Sequence, residues 1–77
     1  MPTAVEKPVT FIEGLVYLGR VKRVWLDECN MPRYYRVMAE TIDGQVYATR
    51  CLLEPSAKKL LSVWLIYITR GWRVAEE

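Results

Sequence analysis

The 77-residue chain has no histidine, which removes the usual general base and the commonest metal ligand together. It has only two cysteines, Cys29 and Cys51, 22 positions apart and neither in a Cys-x-x-Cys pair, so zinc-site spacing is absent. Glycine is sparse and scattered, at Gly14, Gly19, Gly44 and Gly71, which excludes a glycine-rich phosphate loop. The longest apolar run, Leu60 to Ile68, is nine residues including Ser62, too short to span a bilayer. The opening MPTAVEKPVT lacks the basic start and apolar stretch of a signal peptide. These absences lead us to expect a cytoplasmic protein with reduced thiols; a Cys29–Cys51 disulfide is open to the chain but not required by it. There is no internal repeat and no low-complexity segment.

Catalysis finds little to build on. Asp27 and Glu28 are adjacent carboxylates, but neighbours on an extended chain point opposite ways. No nucleophile, base and orienting group can be assembled, so neither a catalytic residue nor a metal or cofactor is expected.

What the chain does have is apolar and aromatic surface. The apolar share is 52%, with three Trp, five Tyr and one Phe. A domain this short buries only about 60% of the surface its unfolded chain exposes. Some of that apolar surface is therefore expected at a partner. The net charge of +2 permits nucleic-acid binding without requiring it.

The organising stretch is Arg33 to Leu53, RYYRVMAETIDGQVYATRCLL, two β-rich runs around Asp43-Gly44. A two-residue type I′ turn there sets Thr41 opposite Val46, Ala39 opposite Ala48, Val37 opposite Arg50 and Tyr35 opposite Leu52, all on the core face. The other face then carries Tyr34, Arg36, Met38, Glu40, Tyr47, Thr49 and Cys51. Upstream, Val9 to Leu18 reads as a strand apolar on both faces, with Gly14 as a bulge or a close backbone approach and Gly19 as a bend. Arg20 to Asp27 is a further strand that brings Trp25 near Tyr35 and Val21 near Ala39. That register puts Arg23 in the core-face row of Arg50, a conflict resolved by a bulge near Lys22-Arg23 or by a carboxylate between the two heads. The pair is also a candidate anion site.

Downstream, Pro55 and Ser56 open a helix on which Ala57, Leu60, Leu61, Trp64, Leu65 and Ile68 keep helical spacing. Gly71 is placed to stop it, and Trp72 and Val74 to pack. A strand from Ser62 to Thr69 is the rival reading. The expected fold class is α+β: an antiparallel sheet of three to four strands with one C-terminal helix packed on one face, in β-β-β-β-α order. The expected limits are a loose arm over 1–8, one domain over 9–74 and a frayed tail over 75–77.

Two functions compete. The leading expectation is a non-catalytic, self-associating protein-binding module of the adaptor, regulator or inhibitor kind. Its contact residues would be Val63, Ile66 and Tyr67 on the helix with Tyr47 and Met38 on the sheet. The alternative is a nucleic-acid-binding domain that uses Arg20, Lys22, Arg36, Tyr34 and Tyr47, cations for phosphates and rings for bases. Neither reading calls on a membrane or a small-molecule substrate.

Overall fold

The turn at Asp43-Gly44 forms with three residues in the loop. The structure, a computed structural model that describes residues 4–70, pairs Thr41 with Gln45 through a Thr41 N–H to Gln45 C=O bond of 2.8 Å. Gly44 N–H donates to Thr41 C=O at 3.0 Å, and Gly44 has φ +94°. This is a type I turn followed by a left-handed residue, the usual three-residue hairpin loop. The Thr41 hydroxyl donates to the Asp43 carboxylate, which favours this loop over the expected type I′ turn.

The extra loop residue slips the register by one. Strand β3 (Tyr34–Thr41) pairs with β4 (Val46–Ala48) as Glu40–Val46, Ala39–Tyr47 and Met38–Ala48. A one-residue slip exchanges faces on the second strand. Tyr47 and Thr49, expected on the outer face, therefore lie on the core side, where the Tyr47 ring meets Phe11 edge-on at 5.4 Å. Arg50, expected in the core-face row, is exposed. The Thr49 hydroxyl accepts from Val37 N–H at 3.0 Å and donates to Arg50 C=O at 2.9 Å, satisfying backbone groups where the ladder breaks. Beyond this break β5 (Leu52–Leu53) rejoins β3 with Tyr35 opposite Leu52, the pair expected from the sequence.

Strand β2 (Val21–Glu28) pairs antiparallel with the other side of β3. The register breaks between Val21 and Arg23, so the expected bulge is present and Arg23 points outward. Its pairs, Val24–Ala39 and Trp25–Met38 among them, differ from the expected ones because the bulge and the connecting loop together set the alignment.

The segment read as the first strand is a helix, α1 (Val9–Tyr17). Ile12 and Val16 are buried and Val9 and Leu15 pack beside them, a helical stripe that β-rich composition concealed. Pro8 fixes the start: its carbonyl accepts from Phe11 and Ile12 N–H. Gly19, at φ +74°, closes the end, with Arg20 N–H donating to Leu15 C=O and Gly19 N–H to Val16 C=O. Part of the arm expected to be loose is also ordered. Val5–Glu6 form β1, parallel to β4, and Lys7 N–H bonds Ala48 C=O at 3.0 Å.

The C-terminal helix is α2 (Glu54–Arg70), as preferred over a strand. It starts at Glu54, whose carboxylate meets Lys58 Nζ at 2.9 Å and offsets the lysines near the positive helix end. Ala57 and Trp64 are fully buried, with Leu60, Leu61 and Ile68 packed beside them on β2, β3 and β5. Gly71, Trp72 and Val74, like the tail boundary, lie outside the described residues.

The fold is thus α+β in the order β-α-β-β-β-β-α. A mixed sheet with strand order β1-β4-β3-β2, and β5 beside β3, carries both helices on one face. The core is Ile12, Val16, Val21, Val24, Val37, Ala39, Ala57 and Trp64 between them.

Candidate functional site

On the open face of the sheet, β3 contributes Tyr34, Arg36, Met38 and Glu40 as expected, and β2 contributes Arg23, Trp25 and Asp27. The charges there are largely matched. Arg23 Nε donates to Glu40 Oε1 at 2.8 Å, and Lys22 Nζ lies 3.6 Å from Glu40 Oε2. The Arg23 guanidinium also stacks over Trp25, 4.6 Å from the ring centre. Arg36 is half-buried, stands opposite Asp27 and reaches Cys51 Sγ at 3.7 Å.

The expected reduced thiols are not what the structure holds. Cys29, at the end of β2, and Cys51, before β5, flank β3 on this face with Cα atoms 6.2 Å apart and are joined as a disulfide. The sheet brings them together across a strand that sequence spacing gives no hint of.

The residues proposed for nucleic acid are dispersed. Arg36 and Tyr34 share the open face, Lys22 sits at the bulge, Arg20 precedes β2, and Tyr47 lies on the helix side. Arg20 lies near the hairpin loop, where its charge helps the Thr41 hydroxyl hold the Asp43 carboxyl below its ordinary value. The two arginines of the suggested anion site lie at opposite edges of the sheet. Arg23 is on β2, whereas Arg50 lines a groove of about 430 Å³ with Glu6, Lys7, Pro8, Val9 and Thr10 beside β1.

The residues proposed for protein contact also divide. Met38 is 7% exposed and Tyr47 half-buried, so both are mainly packing residues. Val63 is half-buried against the core. Tyr67 packs on Tyr17 of α1, ring centres 4.7 Å apart. Ile66 is 54% exposed, and Leu18 at the end of α1 is 72% exposed.

The sequence reading missed the edge of β2. Among the described residues this strand ends the sheet and is eight residues long, whereas the opposite edge, β1, has two. Cys29 N–H bonds Tyr34 C=O at 3.1 Å, which by alternation assigns Asp27, Trp25 and Arg23 to the positions bonded to β3. The N–H and C=O groups of Val24, Leu26 and Glu28 therefore point away from the sheet. Glu28 N–H is taken by the Asp27 carboxylate at 3.0 Å. Among the described residues no strand lies beyond β2. On α2, Leu65 is 41% exposed on the flank opposite Tyr67, and so away from α1. The signal in the sequence was the pattern of β2 itself: two cations, Val-Trp-Leu, then two carboxylates.

Among the described residues no cluster of three or more His, Cys, Asp or Glu could hold a metal ion, and no helix is long and apolar enough to cross a membrane. Comparison with protein-family models, with curated proteins and with solved structures finds no match for this chain.

Proposed function

We propose that this chain is a non-catalytic protein-binding module whose docking surface is the open edge of β2, which accepts a strand from a protein partner. The observation that carries the reading is the edge from Val24 to Glu28, where the backbone donors and acceptors of Val24 and Leu26 and the Glu28 carbonyl are directed outward. Strand addition to such an edge draws affinity from main-chain hydrogen bonds and specificity from alternate side chains. Sheets ordinarily blunt their edges by shortness, proline or bulges. Here β1 is short, whereas the bulge of β2 falls at its start and leaves the register from Arg23 to Glu28 unbroken. An adaptor, regulator or inhibitor role suits such a module. The Cys29–Cys51 bond supports an oxidising compartment in place of the cytoplasm expected from the missing signal-peptide and membrane-spanning patterns. The compensation of Lys22 and Arg23 by Glu40 weighs against a nucleic-acid platform.

The test is an NMR titration of the labelled protein with extended peptides of varied sequence and, in separate arms, with single- and double-stranded DNA and RNA. The expected result is peptide-dependent shifts confined to Val24, Leu26, Glu28 and their neighbours. Shifts centred on Leu18, Ile66 and Tyr67 would move the docking surface to the helix layer. Salt-sensitive shifts at Lys22, Arg36 and Tyr34 with nucleic acid would replace this reading by the alternative.

A further inference from the structure

We propose that the strand completing β2 is the β2 of a second copy of this chain, antiparallel and in one register centred on Trp25. The inference rests on the edge-binding reading above and names its partner.

Two constraints select the register. The first is parity. The outward backbone groups belong to the even-numbered Val24, Leu26 and Glu28, so two copies exchange hydrogen bonds only where even positions face even positions. The second is charge. β2 reads Val21-Lys22-Arg23-Val24-Trp25-Leu26-Asp27-Glu28, basic before Trp25 and acidic after it. Setting Trp25 opposite Trp25 of the second copy places Arg23 opposite Asp27, Lys22 opposite Glu28 and Val24 opposite Leu26. By symmetry each of these pairs occurs twice. The register obeys parity: each Val24–Leu26 pair exchanges two backbone hydrogen bonds, while Trp25 falls at the closer, non-hydrogen-bonded position. Sliding one copy by two residues puts Trp25 opposite Arg23 or Asp27 and separates both charge pairs.

The result is a two-fold, isologous interface in which the sheet runs through both copies with all helices on one face. Side by side on the open face, the two Trp25 rings are each already stacked under their own Arg23. Charge on an edge strand usually repels intruders. In this register the charges of one copy face opposite charges of the other, which favours a second copy over a strand of unmatched charge.

Sedimentation equilibrium over a broad micromolar range tests the pairing. The wild-type protein is expected to dimerise. Arg23→Asp and Asp27→Arg should each weaken the dimer by roughly tenfold or more, since each turns two opposite-charge pairs into like-charge pairs. An equimolar mixture of the two variants should recover near wild-type affinity, because every charge pair in the mixed dimer is again opposite. Arg23 also pairs with Glu40, so thermal melts must show that each variant folds. Should Arg23→Asp not fold, isotope-filtered NOEs in a mixed-label wild-type sample provide the test, with contacts expected between Val24 of one copy and Leu26 of the other. Inter-copy contacts at Ile66 and Tyr67 would overturn the inference. A monomer throughout the range would also overturn it. If that monomer still binds peptides at β2, the edge reading stands and only the second copy is removed; if it binds none, both fall. A monomer whose Val24 and Leu26 amides resist exchange would show the edge already covered within one copy, and this too overturns the inference.

Discussion

One substitution made at two glycines should have opposite effects, because the two positions differ in backbone state rather than in space. A Cβ added at Gly14 meets nothing within 4 Å, and neither does one added at Gly44. Packing therefore drops out of the comparison. Gly14 lies in the interior of α1, where glycine costs about 0.5–1 kcal/mol relative to alanine. Gly14→Ala should stabilise the protein by that amount, raising Tm by roughly 3–6 °C for a domain of this size. Gly44 holds φ +94° in the hairpin loop, where a side chain costs about 1–2 kcal/mol. Gly44→Ala should lower Tm by roughly 6–12 °C. A third variant separates helix from strand at 9–17. In a helix, Gly14→Val should fall below Gly14→Ala by about 0.5 kcal/mol; in a strand the order reverses. Urea and thermal melts followed by circular dichroism give all three values, with a constant m-value as the two-state check. Valine above alanine at position 14 would refute the helical assignment of α1. A neutral Gly44→Ala would refute the left-handed residue on which the one-residue slip depends.

Three further outcomes are expected. Cys51→Ser, or reduction, should cost about 3 kcal/mol in urea melts, the chain-entropy value for a loop closed by a 22-residue separation; an unchanged midpoint would show that the thiols are not linked. Thr49→Val keeps the shape but orphans the buried Val37 N–H, so a loss of about 1–3 kcal/mol is expected, with faster exchange of that amide as the specific sign. The hydroxyl of Thr41 holds the Asp43 carboxyl below its ordinary value of 3.8, so the folded state binds fewer protons than the unfolded state. That contribution is fully present above the unfolded value and disappears as pH falls through the folded one. Asp43→Asn should therefore destabilise at neutral pH and flatten the acid limb of the stability profile; an unaltered acid limb would remove Asp43 from the linkage.

The sequence by itself determined the elements whose signals are local. The central strand β3 and its faces followed from alternation, since Val37, Ala39 and Thr41 are buried on the side assigned to the core. The C-terminal helix followed from helical spacing and the Pro55 start, and the α+β class from both together. The conflict at Arg23 was visible in the sequence as a choice between a bulge and a carboxylate partner, and the structure has the bulge, with Arg23 turned outward onto Glu40. What tertiary structure decided was non-local. VTFIEGLVYL satisfies a period of two and a helical stripe equally well, and only the core offered to Ile12 and Val16 selects the helix. The hairpin register turned on one loop residue, because a side-chain bond from Thr41 to Asp43 favoured three residues over two, and every face on β4 followed. The parallel pairing of β1, the disulfide across β3 and the exposed edge of β2 depend on which strand lies beside which, and one chain's spacing carries no record of that. The order of charges along β2 stood in the sequence, but the proposed self-pairing rests on the sheet, which among the described residues places that strand at an edge.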